Sequence, residues 1–475
     1  MRPSFMGLET ARRGLSTQQY ALEVTGNNIA NANSPGYSRQ RVNFEAAQPY
    51  PPISFSRAQL PGQMGTGVKA GSVERVRDSF LDRQYRQENT KFGYWNQRSE
   101  ALARMEEILN EPSENGLSRT LDRFWQSLQD LGTDPSDSGA RSVVRQRGKA
   151  VADTFHYLSA SLETTRGNLE YDLNVTIEQI NSIAVQLNNI NQQIAKVEPH
   201  GYLPNDLYDE RDRLLDQLSE LVDFTVQYHQ YDKEKFPLAE GAVTVVISGI
   251  DFTLVNGSNL TYSEMDETMR VEGQQGKLSA LFDMHDHYTE KLNQLDEMAY
   301  AFVTEFNEVH RQGWTMGDPP EQGINFFNED GFVIAGAAQN IQLDIRIEES
   351  LDNIAASADG TVGNGKIARD LADVKNRTIV DGNSSLNGKT IQGYFQELIG
   401  QLGVDAQEAN RMKENADALR ISVDVRRESV SGVSIDEEMI NLVRFQQAYN
   451  ASARVVTSID EMLDRIINGM GIVGR

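Results

Sequence analysis

The segment Gly360-Thr361-Val362-Gly363-Asn364-Gly365-Lys366 has the glycine and lysine spacing of a loop that binds nucleotide phosphates. In such a loop the residue after the lysine is Ser or Thr, whose hydroxyl binds magnesium. Here that residue is Ile367, which has no oxygen to offer. The preceding residues 354–358 (IAASA) also make a poor buried strand. We therefore interpret the segment as a solvent-exposed loop with turn glycines, and we expect no cofactor.

A second candidate for chemistry is a cluster of possible metal ligands, Asp283-Met284-His285-Asp286-His287. The surrounding pattern is helical, and residues two apart on a helix point to different faces. The two histidines are therefore poorly placed to share one metal ion. We expect His285 to be a partly buried histidine between helices, Asp283 and His287 to form a surface pair, and no metal to be bound.

Other catalytic arrangements find little support in the composition. The chain has no cysteine, which excludes disulfides, thiolate zinc sites and cysteine nucleophiles. It has six histidines and no Gly-x-Ser-x-Gly nucleophile motif. Paired carboxylates are too frequent in so acidic a chain to identify a general acid and base. We expect a protein without catalytic residues, and an enzyme remains the minority interpretation.

The elements that would position any site are mainly helices, and the two chain ends carry the clearest pattern. Apolar residues recur every seven positions near both ends, which predicts helices that pack lengthwise as a coiled coil. The N-terminal pattern stops at Asn33-Ser34-Pro35-Gly36, and a capping box of Ser434 and Glu437 marks the start of the C-terminal one. The predicted interface residues are Leu8, Leu15, Leu22, Ile29, Ile435, Leu442, Tyr449, Val456 and Leu463.

The N-terminal segment is a weak helix former by itself, because it contains Gly14, Gly26 and several asparagines. Such a segment needs a partner to offset the entropy lost on ordering. We expect both terminal segments to be disordered in the free monomer and to order on assembly.

Between the ends, heptad or amphipathic patterns predict helices over 117–131, 173–197, 207–221, 278–309 and 394–419. From Phe224 the period changes to two, which predicts a small β insertion. The fold class is therefore mainly α with a small β insertion, in an elongated multi-domain chain. The expected domains are nested and discontinuous: 1–75 with 431–475, then 76–225 with 276–430, around a β domain at 226–275.

Charge and hydropathy argue against further classes of protein. The formal net charge is -24, which argues against nucleic-acid binding because that requires a clustered basic face. Residues 1–75 differ, with eight Lys or Arg against four Glu. The first residues do not resemble a cleaved secretory signal, and no segment is apolar enough for a membrane helix. Composition alone thus indicates a cytoplasmic protein, unless export uses no cleaved signal.

The chain ends resemble a known family. Residues 25–39, TGNNIANANSPGYSR, are similar to the N-terminal signature of the flagellar rod, hook and hook-associated proteins. The residues that carry this signature are Asn27, Asn28, Asn31, Asn33, Pro35, Gly36 and Tyr37. Residues 431–440 and 445–453 resemble the C-terminal end of the same family, and 205–221 also look like it. Tyr37-Ser38-Arg39-Gln40 points to the hook-associated members.

The resemblance implies a structural subunit at the hook-filament junction that polymerises through its terminal helices. It also implies contacts with further copies of the chain, with hook protein and with hook-associated protein 3. Export in unfolded form, without a cleaved signal, and a cytoplasmic chaperone on the C-terminal helix are implied as well. Another axial protein, from hook or rod, is the alternative, although the long pattern at 173–197 argues against it. An enzyme, either a nucleotide-binding one or a wall hydrolase on an axial scaffold, is a less favoured alternative.

Overall fold

The computed structural model describes residues 5–50, 63–109, 116–230, 232–271, 273, 275–379 and 386–469. Residues 1–4, 51–62 and 470–475, which belong to the predicted end domain, lie outside the described residues. The described chain is mainly helical with two small sheets, which confirms the predicted fold class. Its helices are α1 (Met6–Ala30), α2 (Ser79–Leu109), α3 (Leu117–Thr133), α4 (Ser138–Val197), α5 (Asn205–Leu221), α6 (Lys277–His310), α7 (Ala337–Asn340), α8 (Ile345–Glu349), α9 (Lys366–Ala372), α10 (Ile391–Ser431) and α11 (Ile435–Gly469).

Two helices are longer than the apolar pattern indicates. The pattern predicts no helix over 76–116, yet α2 occupies 31 residues there. It predicts a helix from 173, whereas α4 begins at Ser138 and runs for 60 residues. In α2 several inward side chains are polar, including Arg86, Asn89 and Thr90. Hydrophobic periodicity therefore underestimates this helix, because its buried face is held partly by hydrogen bonds.

Both sheets are antiparallel. Strands β1 (Gln40–Ala46) and β2 (Val68–Arg75) pair with a register shift between Asn43 and Phe44. The predicted β insertion is a four-stranded meander of β3 (Phe224–His229), β4 (Ala242–Ile247), β5 (Phe252–Asn256) and β6 (Thr261–Tyr262), paired in chain order. Its central strand β4 is almost wholly buried. The change of period from about 3.5 to 2 thus marked the β insertion correctly.

The described residues form two compact units, and both are discontinuous in sequence. Unit 1 comprises Met1–Thr90, Gln179–Met265 and Asp417–Arg475, and unit 2 comprises Lys91–Glu178 and Asp266–Ala416. Unit 1 therefore contains α1, α5, α11 and both sheets. The three-part division expected from the sequence stays a prediction.

Unit 2 has an aromatic core that joins α3 and α6. Phe124 and Phe306 lie with ring centroids 5.2 Å apart, and Phe326 and Phe327 contact the same cluster. All four rings are fully buried. Such pairs contribute about 0.5–1.5 kcal/mol each beyond their buried area, so this cluster holds the otherwise irregular segment after α6 against the helices.

Candidate assembly interface

The two terminal helices pack against each other in unit 1 and run antiparallel. A Cβ built on Gly7 would lie 3.3 Å from Ile459 Cδ1, and one built on Gly14 would lie 3.2 Å from Ser452 Oγ. Farther along, Asn28 contacts Glu438. Residue numbers rise along α1 as they fall along α11, in steps of seven on both helices. The face of α1 at the centre of the contact is therefore made of small or polar residues.

This small-residue row consists of Gly7, Gly14, Ala21 and Asn28. It lies opposite a row of α11 formed by Ile459, Ser452, Phe445 and Glu438, in which the seven-residue spacing places Phe445 opposite Ala21. Because glycine and alanine project little beyond the backbone, the two helices approach closely. Sequence reasoning missed this row, since glycine contributes nothing to hydrophobic periodicity. The seven-residue recurrence of small residues was the available signal.

The predicted interface residues flank this contact. Leu8, Leu15, Leu22 and Ile29 are half-buried on α1, and Leu442, Tyr449, Val456 and Leu463 are half-buried on α11. Ile435, at the start of α11, is exposed. The pairing of the two predicted apolar rows stays a prediction. Within this single chain, these side chains keep apolar surface that a neighbouring chain could cover.

A buried polar group ties the signature residues of α1 to the start of α11. The Asn28 side chain donates to Gln40 O (2.8 Å) and to Glu438 Oε2 (3.0 Å). It accepts from the Tyr37 hydroxyl (2.9 Å) and from the Gln40 amide (3.0 Å). Asn28 and Glu438 are only 1% and 2% exposed. All four hydrogen-bonding positions of the Asn28 amide are thus used, which fixes its orientation.

Arg39 completes this buried group, which consists of Asn28, Tyr37, Arg39 and Glu438. Its guanidinium donates to Glu438 Oε1 (2.9 Å) and to Glu437 Oε2 (2.8 Å). The Glu437 amide donates to Ser434 Oγ at 3.5 Å, so the predicted capping box is half formed while the Glu437 carboxylate binds Arg39. Burial raises the pKa of the Tyr37 hydroxyl, and nearby carboxylates raise it further. Tyr37 is therefore a hydrogen-bond donor throughout the physiological range.

The other signature residues end α1. Asn31 Nδ2 donates to the Asn27 carbonyl (3.1 Å) and side chain (2.7 Å), and Ser34 Oγ donates to Asn31 Oδ1 (3.1 Å). Asn33 and Pro35 are exposed in the following turn. Gly36 has φ +83°, a conformation that residues with a Cβ rarely adopt. These residues turn the chain so that Tyr37 returns to Asn28.

Arginines bind carboxylates of α5 and fix the segment that follows the same turn. We call this group the α5 ion cluster: Arg75, Arg86, Asp209, Arg211 and Asp212. Arg75 Nη1 lies 2.8 Å from Asp209 and 3.0 Å from Asp212. Asp209 in turn accepts from the backbone amide of Ser38 (3.0 Å). Arg86 and Arg211 also contact Asp212. The segment after Tyr37 is thereby fixed to α5.

The acidity of Asp212 reflects this environment. Burial opposes its ionisation, but Arg211, Arg77, Arg75 and Arg86 outweigh burial and hold the pKa of Asp212 well below its usual value. Nothing in the hydrophobic pattern predicts such a cluster, because its members are distant in sequence. Only the similarity of residues 205–221 to the family indicated that α5 matters.

The nucleotide-loop candidate has a structural role. Gly365 packs so closely on α3 that a Cβ there would lie 2.3 Å from Gly132 O. Lys366 is exposed and begins the short helix α9, whereas the next residue, Ile367, is buried. Among the described residues before the loop, 354–359 contain one isolated bridge at Ser357 and no strand. The glycines serve turns and helix packing, and the strand that precedes a phosphate-binding loop is not present in this described segment.

The two histidines point to different partners. His285 Nε2 lies 3.1 Å from Glu170, whereas His287 Nε2 lies 4.0 Å from Asp405. The expected pairing of Asp283 with His287 is wrong. Asp283 accepts from the Tyr94 hydroxyl (2.8 Å), and His287 Nδ1 lies 3.7 Å from Glu290. His285 is partly buried between helices, as the heptad pattern predicted. Within the part of the chain that the structure describes, no three His, Cys, Asp or Glu side chains are grouped to hold a metal ion.

The chain matches three family models. The model described as "Flagellar hook-associated protein FlgK helical domain" matches residues 102–327. "Flagella basal body rod protein" matches residues 8–37, and "Flagellar basal body rod FlgEFG protein C-terminal" matches residues 427–469. The two rod-protein matches therefore cover the two partners of the interface, α1 with its turn and α11.

Flagellar hook-associated protein 1 of Bacillus subtilis (strain 168) is 43% identical over 514 residues, covering 100% of both chains. The chain belongs to the flagellar hook-associated protein 1 family. The corresponding protein of Salmonella typhimurium is 25% identical and covers 96% of this chain and 98% of its own. This protein is therefore a flagellar component, and its family consists of structural flagellar proteins that assemble with other flagellar proteins.

A solved structure, "The structure of the flagellar hook junction protein FlgK from Burkholderia pseudomallei", has a similar fold. The TM-score is 0.60 at 14% identity, and the match covers 73% of this chain and 100% of the other. At this identity the likeness supports the fold alone. None of the helices in the described residues is long and apolar enough to cross a membrane.

Proposed function

We propose that this chain is a structural subunit of the hook-filament junction, which polymerises through α1 and α11 and adapts the hook to the filament. The observation that carries the proposal is the antiparallel pairing of the two terminal helices with apolar surface left over. Family membership supports the same conclusion, because relatives that match over the whole chain are named hook-associated protein 1.

Uncovered apolar surface is present on the first turns of α11. Ile435, Met439, Ile440 and Val443 are all exposed, and Ile440 is 69% exposed. Glu438, in their midst, faces α1 and is buried, so these four side chains lie on the flanks that α1 does not cover. An exposed apolar patch of this kind favours contact with another protein surface. In a polymer, further copies of the same chain would cover it.

The composition of the interface supports the prediction that the terminal helices order only on assembly. Much of the α1 face at the contact is glycine, asparagine or threonine. Residues of these types form a stable helix only when a partner is present. We infer that α1 and α11 are disordered in the exported monomer and order during assembly, so that ordering is coupled to polymerisation. Limited proteolysis of the full-length monomer tests this, because cleavage should concentrate in residues 5–30 and 435–469. Protease-resistant terminal helices in the monomer would contradict it.

The partners follow from position in the flagellum. We propose contacts with further copies of the chain, with hook protein on one side and with hook-associated protein 3 on the other. We also propose export through the flagellar type III apparatus without a cleaved signal, with a cytoplasmic chaperone holding the C-terminal helix. The exposed apolar residues of α11 support the last proposal, since they need cover before assembly. Catalytic activity is not part of the proposal.

The substitution Leu442→Glu tests the interface. Leu442 is a half-buried residue of the predicted apolar row, and a charge buried there without a partner is costly. In a strain that lacks hook-associated protein 1, the unaltered chain should restore filaments, whereas the variant should leave hooks built and flagellin shed into the medium. Gln447→Glu, at an exposed polar position of α11, is the matched control and should restore filaments.

Electron microscopy of the cells and the amount of flagellin in the medium measure the outcome. Normal filaments with Leu442→Glu would show that α11 is not the assembly surface. Failure of the unaltered chain to restore filaments would count against the junction assignment itself.

A further inference from the structure

The small-residue row of α1 repeats almost exactly every seven residues. Gly7, Gly14 and Ala21 are nearly interchangeable in shape, so sliding α1 by seven residues along α11 would again place small residues opposite the same row. A coiled coil with such a uniform contact has several registers of similar energy. The packing of Gly7, Gly14 and Ala21 by itself therefore does not select the observed alignment.

The fourth position of the row is different, because it holds the buried pair Asn28 and Glu438. The Glu438 carboxylate accepts from Asn28 Nδ2 at 3.0 Å and from Arg39 Nε at 2.9 Å. A shift of seven residues in one direction would place Glu438 opposite Ala21, and a shift in the other would place Asn28 opposite Phe445. Either shift removes partners from a buried polar group, and this loss is strongly unfavourable.

We propose that the Asn28–Glu438 pair, held by Arg39, selects the register of α1 on α11. The two residues are positioning residues: they align the helices so that the apolar flanks reach neighbouring chains at fixed intervals. The inference deepens the proposed function and rests on it, since the aligned surface is the one proposed to polymerise. Buried polar residues are known to specify register in coiled coils at some expense of stability.

A rival device for alignment lies beside α1. Strands β1 and β2 pack on α1, and Thr17 Oγ1 donates to Val68 O at 3.4 Å. This contact is longer than the hydrogen bonds of Asn28 and involves one neutral hydroxyl. If the sheet alone aligned α1, removing the Asn28–Glu438 pair would leave the register unchanged. The two explanations therefore give opposite results.

Cysteine crosslinking distinguishes them, because the full-length chain contains no cysteine. The Cβ built on Gly14 lies 3.9 Å from Ser452 Cβ, within the range of about 3.5–4.5 Å found in disulfides. Gly14→Cys with Ser452→Cys thus reports the observed register. Gly14→Cys with Ile459→Cys, or with Phe445→Cys, reports a shift of seven residues in either direction.

Because α1 and α11 are proposed to order on assembly, each cysteine pair is oxidised after the full-length chain has polymerised, in three backgrounds: unaltered, Asn28→Leu with Glu438→Leu, and Glu438→Gln. In the unaltered background the Gly14/Ser452 pair should form its disulfide at least about tenfold faster than either shifted pair. The double leucine background removes the buried polar pair that distinguishes the observed register. In that background, the rates of disulfide formation of the three pairs should lie within about threefold of one another.

The Glu438→Gln background is the conservative control. Its side-chain oxygen still accepts from Asn28, so the Gly14/Ser452 preference should return, which a general loss of folding would not allow. Far-UV circular dichroism checks that the helix content of each variant is unchanged. A Gly14/Ser452 preference that persists in the double leucine background would overturn the inference, as would the absence of any preference in the unaltered chain.

Filament formation is scored separately in the strain that lacks hook-associated protein 1. Native register in a chain that fails to restore filaments would count against the proposed function alone. Restored filaments together with an unchanged crosslinking pattern in the double leucine variant would count against the register inference alone.

Discussion

His310, the last residue of α6, gives unit 2 a specific dependence on pH. The imidazole is fully buried, and its Nδ1–H donates to Ile324 O at 2.7 Å. Its Nε2 accepts from the Ala355 amide at 2.9 Å. Only the neutral ring can do both, since protonation would turn Nε2 into a donor that faces another donor. Acidification should therefore destabilise unit 2 through this residue.

The size of the effect follows from the pKa. Burial lowers the pKa of His310 from 6.5 to about 4, a shift that the Ile324 carbonyl and Asp344 oppose and that Arg141 and Arg346 reinforce. In the unfolded chain the pKa returns to about 6.5. Stability from neutral His310 is thus fully present above pH 6.5, declines as pH falls and is lost near pH 4. A difference of about 2.5 units at about 1.4 kcal/mol per unit corresponds to about 3 kcal/mol.

Urea unfolding followed by tryptophan fluorescence measures this effect in the full-length chain. Trp95, Trp125 and Trp314 are the three tryptophans, and all lie in unit 2. The comparison is with His310→Gln, which keeps a donor and an acceptor but does not titrate. Because carboxylates titrate equally in both proteins, the difference between their unfolding free energies isolates His310.

We expect His310→Gln to be less stable at pH 7 and this deficit to shrink by about 3 kcal/mol as the pH falls from 7 to 4. A deficit that stays constant over this range would refute the reasoning. It would mean that the imidazole is as easily protonated in the folded unit as in the unfolded chain.

Two further predictions concern packing and buried charge. Gly365→Ala should destabilise unit 2 by about 2 kcal/mol or more, because the new Cβ would meet Gly132 O. The control is Gly400→Ala in α10, where a new Cβ would have no neighbouring atom within 4 Å. This change should stabilise unit 2 by up to about 1 kcal/mol. Tryptophan fluorescence reports both, and equal effects would contradict the assignment. Asp212→Ala should destabilise unit 1 by about 3–5 kcal/mol, since it leaves buried arginines short of a partner. Arg213→Ala, at a half-exposed pair with Glu210, should change stability by less than about 1 kcal/mol; circular dichroism measures both, and similar losses would exclude a central role for Asp212.

The terminal helices were predictable because each has a clear apolar repeat and clear end signals. The heptads of Leu8 to Ile29 and of Ile435 to Leu463 correspond to α1 and α11, and the turn at Pro35-Gly36 follows the end of α1. These are local signals, carried by side chains within a few turns of one another. The family signature was readable for the same reason.

Helix α2 and the α5 ion cluster were not predictable in this way. Arg86 on α2 binds Asp212 and Asp216 on α5, more than a hundred residues away. Buried charged residues look like exposed ones in a hydropathy pattern, since burial depends on a partner that the pattern does not contain. The nucleotide-like loop shows the converse: its glycine spacing is real, but Gly365 is required by contact with Gly132.

By itself, the sequence determined where the terminal helices lie, that they carry apolar repeats, and which family they resemble. Only the tertiary structure decided which face of α1 meets α11. The periodic leucines lie to one side, while Gly7, Gly14, Ala21 and Asn28 occupy the contact. There are two physical reasons. Close helix packing requires small side chains, which add nothing to a hydrophobic repeat. The alignment depends on Glu438, a buried residue 410 positions from its partner Asn28. Neither property leaves a trace in hydrophobic periodicity.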